Sequence, residues 1–260
     1  MRRASFPRRA TAMRIAVSVP RRAPPILLPR IAWHTAHALA LTGFFWHWQV
    51  NVYEIPRQGE RMEFLPIKRA LMSATDKSGL ADFAAFLAGN GVELVSTGGT
   101  RRMLEGAGLK VTPVSRVTGF PEILGGRVKT LHPHIHGGVL ADKDNPEHVA
   151  TLRELGIAPF DLICVNLYDF ATAAAKGLDL KQAVEEIDIG GPCMLRAAAK
   201  NYHSILVLPS PAYYGQAMEE MRTNSMRVGL EFRREMSVLT FAATAAYDRM
   251  IADYLAAAAR

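Results

Sequence analysis

The stretch Ile187–Lys200, Ile-Asp-Ile-Gly-Gly-Pro-Cys-Met-Leu-Arg-Ala-Ala-Ala-Lys, holds chemistry-bearing residues at their densest. Gly190 and Gly191 let the backbone approach a ligand, and Pro192 suits a first helical position, where its missing N–H would lack a partner anyway. Arg196 and Lys200 stand four apart, so two cations share one helix face with no acidic neighbour. Asp188 sits just ahead of the turn. A helix start, a close-approach loop and stacked cations describe a site for an anionic small molecule. The plain alternative is a solvated basic helix end.

Other polar groups fall at comparable places. Ser73-Ala74-Thr75-Asp76-Lys77-Ser78-Gly79 and Ser96-Thr97-Gly98-Gly99-Thr100 each follow a short apolar run, and Asn166 and Tyr168 end a third. The Thr-Gly-Gly-Thr turn offers hydroxyls and unobstructed N–H groups at a helix start, a phosphate cradle or a plain tight turn. It has neither Walker nor dinucleotide-fingerprint spacing. Between Gly125 and Gly138 lie Arg127, Lys129, Thr130 and three histidines, His132, His134 and His136. Arg127 and Lys129 point to one side if the segment is extended. A metal site is not expected at the histidines, since Pro133 interrupts regular structure and no carboxylate is close in sequence.

The elements that must position these groups alternate in type. Strands are expected at Arg69–Met72, Val92–Val95, Lys110–Val114, Phe160–Leu167 and Ile205–Leu208. Helices are expected from Leu80 to the Asn90-Gly91 stop, at Arg101–Ala107, Val149–Leu155 and through Leu230–Ala257. Thr118–Gly138 reads as a long irregular region. This pattern predicts an α/β fold, a parallel sheet with helices on both faces plus C-terminal helices, with ligands bound beyond the carboxyl ends of the strands.

Composition narrows the function. The net charge of +7 comes from residues 1–61, which hold ten Arg, no Lys, and only Glu54 and Glu60, a net of +8. The remainder is close to neutral, so neither the charge nor the pI argues for nucleic acid. Residues 1–61 also hold all three tryptophans and clustered prolines, and Ile31–Val50 is broken by histidines into a poor membrane span. They read as upstream sequence ahead of a natural start at Met62, with a transit peptide or interaction segment as alternatives. The expected domain is 62–260. Cys164 and Cys193 make no disulfide framework, which favours a reduced, cytoplasmic setting; Cys193 reads as a packing residue rather than an activated thiol.

In order, Ser-x-x-Asp-Lys-x-Gly-Leu, Ser-Thr-Gly-Gly-Thr, Gly125–Gly138, Asn166-Leu167-Tyr168 and Ile187–Lys200 resemble the inosine monophosphate (IMP) cyclohydrolase domain. That domain is the N-terminal half of a bifunctional family of purine-biosynthesis enzymes, AICAR transformylase/IMP cyclohydrolase. The resemblance runs from Pro66 to Leu255 and implies a methylglyoxal-synthase-like α/β fold. The implied reaction closes the purine ring of 5-formamidoimidazole-4-carboxamide ribonucleotide with loss of water, using no cofactor and no metal. By resemblance, Lys200 is the proton donor and acceptor, with Tyr168, Asp188 and Lys129 around the reacting groups. The backbone N–H groups of Ile189, Gly190 and Gly191 would face the oxyanion. Ser73, Thr75, Asp76, Lys77, Thr97, Gly98, Gly99, Thr100, Arg127 and Thr130 would hold the nucleotide and its phosphate, and Asn166 the base or its carboxamide.

Three departures stand out: Asp169 replaces the family's usual Pro after Tyr168, Ala74 and Thr75 replace Val and Ser, and Cys193 replaces Thr. The sequence ends at Arg260, so formyltransferase activity is not expected of it. The implied partner is a nucleotide, neither nucleic acid nor membrane, and a homo-oligomer stays open. A regulatory nucleotide-binding module of the same fold, or an inactive fragment, is the competing expectation.

Overall fold

The computed structural model describes residues 62–168, 170 and 178–258; the leader 1–61, with its reading as upstream sequence, and Asp169 lie outside them. The described residues centre on a five-stranded parallel sheet in the order β4-β3-β2-β5-β6. The strands are β2 (Arg69–Ser73), β3 (Glu93–Ser96), β4 (Thr112–Pro113), β5 (Leu162–Val165) and β6 (Leu206–Leu208). Ala70, Leu71 and Met72 of β2 are fully buried, as are Leu162, Ile163 and Cys164 of β5. Continuous apolar strands of this kind are what a sheet covered on both faces requires.

The chain starts at the centre with β2, moves outward through β3 and β4, then jumps back across β2 to β5 and β6. The order therefore reverses between β2 and β5, and a crevice opens beyond their carboxyl ends. Their opposite ends are pinned. Asp161, wholly buried ahead of β5, accepts the N–H groups of Lys68 (2.9 Å) and Arg69 (2.8 Å) and pairs with the buried Lys143.

Helices α1 (Leu80–Gly89) and α2 (Gly98–Gly106) follow β2 and β3. The short α3 (Val114–Thr118) follows β4, and α4 (Pro133–Leu140) and α5 (Pro146–Glu154) precede β5. After β5 come α6 (Leu180–Glu185) and α7 (Gly190–Lys200); α8 (Tyr214–Thr223) follows β6. The 29-residue α9 (Leu230–Ala258) packs on α7 and β6. A small antiparallel pair, β1 (Phe64–Pro66) with β7 (Arg227–Gly229), was not expected from the sequence. Among the described residues no helix is long and apolar enough to cross a membrane.

The irregular region expected over Thr118–Gly138 contains α4. Pro133 starts that helix rather than interrupting it, because a proline at the first helical position gives up no hydrogen bond. His132 caps the helix, its Nδ1 accepting the His134 N–H at 3.1 Å. The expected strand Lys110–Val114 shrinks to two residues, since Pro113 offers no N–H and Val114 already begins α3. Helix α2 begins at Gly98 rather than Arg101, with Thr97 in extended backbone before it. The strand expected at Phe160–Leu167 stops at Val165, where the Asn166 side chain takes over the hydrogen bonding.

Candidate active site

A cleft of about 830 Å³ lies at the switch point between β2 and β5. Three strand ends and two loops furnish it. Ser73 ends β2 with Thr75 and Lys77 just past it, Thr97–Thr100 follow β3, and Asn166 and Tyr168 follow β5. The segment Leu124–Leu131 forms one wall, and the chain from Val184 to Gly191 the other. The size suits a small molecule of nucleotide dimensions.

The hydroxyl-and-glycine end is built from the carboxyl ends of β2 and β3. Ser73 Oγ and Thr97 Oγ1 are 2.9 Å apart, so the two hydroxyls share one point of the wall. The first N–H groups of α2 open toward that end without helical partners, a ready anion cradle. Thr100 does a different job from the one expected. Buried, its Oγ1 accepts the Ala74 N–H at 2.9 Å and donates to the Ala74 carbonyl at 3.0 Å, tying α2 to the loop after β2.

Asn166 also departs from its expected role. Its Oδ1 accepts the N–H groups of Thr75 (2.7 Å) and Asp76 (3.0 Å), and its Nδ2 donates to the Asp76 carbonyl at 2.7 Å. An amide committed to three backbone groups holds the loop in place instead of reading a base. Asp76 turns away from the cleft, where its carboxylate accepts the N–H (2.9 Å) and hydroxyl (2.6 Å) of Ser78. Those two bonds hold its carboxyl below the ordinary range. Lys77 Nζ donates to the Thr75 carbonyl at 3.2 Å and lines the cleft.

The other end gathers the groups able to move protons. Asp188 Oδ1 accepts the Gly191 N–H at 2.9 Å. Burial raises the Asp188 carboxyl above its ordinary range, partly offset by the Gly191 and Gly190 amides and by Lys129. Burial also raises the Tyr168 phenol, reinforced by the carboxylates of Asp188, Glu186 and Glu122. Tyr168 is therefore held protonated, a donor beside a carboxyl group poised to exchange a proton. Lys129 Nζ lies 3.6 Å from Glu122, and Arg127 Nε donates to Glu185 at 3.0 Å. Both cations keep carboxylate partners at the mouth of the cleft. The buried Thr130 packs against the α7 start; a Cβ on Gly190 would come within 2.9 Å of its Oγ1.

Two expectations for this end change. The Gly191 N–H, expected to face an oxyanion, is taken up by Asp188, which fills the space before the helix start. Ile189 is exposed on the rim. Lys200 lies at the far end of α7, exposed and outside the cleft lining; ten residues at 1.5 Å each put it about 15 Å from Gly190. Within one chain the structure brings Tyr168, Asp188 and Lys129 together and leaves Lys200 apart. Arg196 stacks on Phe241, its guanidinium 5.5 Å from the ring centre.

The three histidines diverge. His132 caps α4, His134 Nδ1 lies 3.1 Å from the Val117 carbonyl, and His136 is partly buried, which lowers its pKa. Among the described residues no three His, Cys, Asp or Glu side chains converge as a metal site would need.

One contributor was missed by sequence reading. Tyr247, buried on α9, accepts the Asp188 N–H on its Oη at 2.8 Å. Its only signal was a position three residues after Thr244 on the buried stripe of a long helix.

Residues 79–193 match the MGS-like domain family, and residues 198–260 match the AICARFT/IMPCHase bienzyme family. The bifunctional purine biosynthesis protein PurH of Jannaschia sp. is 49% identical over 197 residues, covering 75% of this chain and 37% of that protein. PurH of Paracoccus denitrificans is 48% identical over 194 residues, again 75% and 37%. The chain thus spans little more than a third of the length of these relatives. Among solved structures, that of ForH matches with a TM-score of 0.67 at 32% identity, covering 74% of this chain and 98% of ForH. On these two consecutive matches and the nearly complete coverage of ForH, the chain belongs to the AICARFT/IMPCHase bienzyme family.

Proposed function

We propose that this chain is an IMP cyclohydrolase, converting 5-formamidoimidazole-4-carboxamide ribonucleotide to inosine monophosphate and water. The observation that carries the reading is the division of one cleft into two ends. A hydroxyl-and-glycine turn at a helix start suits the nucleotide phosphate, and Asp188, Tyr168 and Lys129 at the other end suit ring closure.

In this reading the carboxamide nitrogen attacks the formyl carbon, forming the new C–N bond of a cyclic carbinolamine. The nitrogen gives one proton to the Asp188 carboxylate, and the formyl oxygen takes one from the Tyr168 phenol. Asp188 then returns its proton to the departing hydroxyl, water leaves, and the proton on the former formamide nitrogen goes to Tyr168 as that nitrogen forms the C=N bond. Atoms balance with no redox change and no cofactor. Lys129 stabilises the negative charge that develops on the formyl oxygen. Ring closure is already intramolecular, so the cleft contributes by holding the carboxamide and formyl groups in the reacting orientation.

Ser73, Thr97 and the N–H groups of Gly98 and Gly99 would take the phosphate, with Lys77 and Arg127 adding charge. Arg127 would exchange Glu185 for the phosphate, a cheap swap because exposed ion pairs contribute only about 0–1 kcal/mol. A cytoplasmic location accompanies this reading, supported by the free cysteines Cys164 and Cys193.

The reading is tested by mixing substrate with excess purified chain and separating the products by chromatography. Inosine monophosphate formed within a single turnover supports it. Tight nucleotide binding without product would favour a regulatory module and reject catalysis.

A further inference from the structure

Helix α9 lies outside the MGS-like match and touches the cleft wall behind Asp188 through Tyr247. Its buried residues Arg233, Met236, Ser237, Thr240, Thr244 and Tyr247 recur at three- and four-residue steps apart from the adjacent pair Met236 and Ser237, and form one stripe. Near one end of the stripe, Ser237 Oγ donates to the Ala199 carbonyl in the last turn of α7 at 2.8 Å. At the other end, Tyr247 Oη accepts the Asp188 N–H just ahead of the first turn of α7. Ten helical residues span about 15 Å, the length of α7 itself. The two helices run antiparallel with a hydrogen bond clamping each end.

We propose that Tyr247 is a positioning residue for Asp188: its phenol oxygen fixes the Ile187–Asp188 peptide and so sets how the Asp188 carboxylate enters the cleft. This rests on the cyclohydrolase reading for what Asp188 does, but not for how it is held. Tyr247 is only 4% exposed, so its ring has no room to swing away. The Asp188 N–H precedes α7 and has no helical acceptor of its own, so the phenol supplies the one acceptor seen for it. On its carboxyl side Asp188 is held by the Gly191 amide. Peptide and carboxylate are therefore fixed from two different helices.

The groups facing this carboxyl come from every neighbouring element. They are Lys129 from the cleft wall, Tyr168 after β5, the Gly190 and Gly191 amides of α7, and Tyr247 on α9; the carboxylates of Glu186 and Asp248 act one step away, on Tyr168 and Tyr247 respectively. Removing the phenol oxygen leaves the Asp188 N–H without its acceptor and frees the turn to move toward water. The carboxyl then titrates closer to an ordinary aspartate.

The test compares Tyr247→Phe, which keeps the ring, with Ser237→Ala, which cuts the same clamp at the far end. The readouts are kcat, KM and the Asp188 carboxyl titration followed by carbon-13 NMR. Tyr247→Phe is expected to lower kcat about tenfold, less than the roughly 100-fold of a full misplacement of about 1 Å because the Gly191 amide still holds the carboxylate, to leave KM within about twofold, and to move the Asp188 titration to lower pH. Ser237→Ala is expected to leave all three readouts in place. Identical Asp188 titration in wild type and Tyr247→Phe overturns the proposal whether or not the chain is active. In an active chain, unchanged kcat in Tyr247→Phe, or an equal loss in Ser237→Ala, overturns it as well. If wild type makes no product, the cyclohydrolase reading falls and the titration still decides the role of Tyr247. Hydrogen exchange in the unaltered chain gives a check needing no variant: an Asp188 amide as protected as the α7 core supports the clamp, and loop-like exchange contradicts it.

Discussion

The Asp188 carboxylate and the Gly191 amide meet at 2.9 Å across a helix start that leaves no room for a side chain. A Cβ at position 191 would fall 2.1 Å from Asp188 Oδ2, far inside any real contact, and the opposing atom belongs to the carboxylate proposed to move the proton. The glycine thus serves the carboxylate, where sequence reading assigned it to a bound oxyanion.

Gly191→Ala is the sharpest consequence. The new methyl must push the Asp188 carboxylate aside, and a displacement near 1 Å at a reacting group costs about 100-fold in rate. Turnover is expected to fall by that order, with nucleotide affinity nearly kept, since the phosphate end is remote. Steady-state kinetics beside calorimetric binding of inosine monophosphate checks this; a loss in binding equal to the loss in kcat would count against it.

The pH dependence follows from the raised Asp188 carboxyl, whose main cause is burial. A group whose folded pKa lies above its unfolded one gives stability that is complete below the unfolded value and lost as pH rises through the folded value. For Asp188 the window opens near the ordinary 3.8 and closes at its own raised value. Catalysis runs the other way, because proton abstraction needs the ionised form, so the acid limb of the rate profile lies above that of a free aspartate. Asp188→Asn is expected to remove the Asp188 contribution to denaturation between those pH values and to abolish turnover. Chemical denaturation at a series of pH values, set beside the rate profile, measures both.

Asn166→Ala strips three hydrogen bonds from the loop after β2. Leaving the Thr75 and Asp76 amides unpaired is expected to destabilise the fold by about 1–3 kcal/mol. The loop carries Thr75 and Lys77 beside Ser73 into the proposed phosphate end, so KM should rise severalfold more than kcat falls. Urea denaturation and a substrate titration test the two halves separately; a change in kcat alone would return Asn166 to the reacting end.

The two cysteines are expected to react unequally. Burial pushes the Cys164 thiol up to about 12, against a contact to the Tyr214 hydroxyl that lowers it, whereas Cys193 is partly exposed. A thiol reagent at pH 8 should modify Cys193 in the folded chain and both cysteines only after denaturation. Rapid loss of both thiols in the native state would contradict the packing at β5.

Much of this was legible in the sequence because parallel strands buried on both faces must be apolar throughout and must end where polar groups begin. Arg69–Met72 and Val92–Val95 located β2 and β3 within a residue, and Ser73 and Thr97 followed at the expected strand ends. Pro133 misled, since the same missing N–H that breaks a helix interior is harmless at its start. Asn166 and Thr100 were assigned to a ligand because a sequence does not say which backbone groups a side chain will satisfy first. Tyr247 stayed hidden because its partner, Asp188, is 59 residues away and meets it only once α9 folds against α7. Lys200 shares a helix with the Gly190-Gly191 turn, yet helix length separates the two ends, which a compact motif in sequence conceals.

The central claim is that Asp188, Tyr168 and Lys129 close a purine ring in the cleft between β2 and β5. Its most direct test is steady-state formation of inosine monophosphate from the formylated ribonucleotide, followed by ultraviolet absorbance, for the purified chain and for Asp188→Asn. The account predicts turnover by the unaltered chain and a loss of at least about 100-fold in the variant with the nucleotide still bound. Nucleotide binding without product in the unaltered chain, or full turnover by Asp188→Asn, would contradict it.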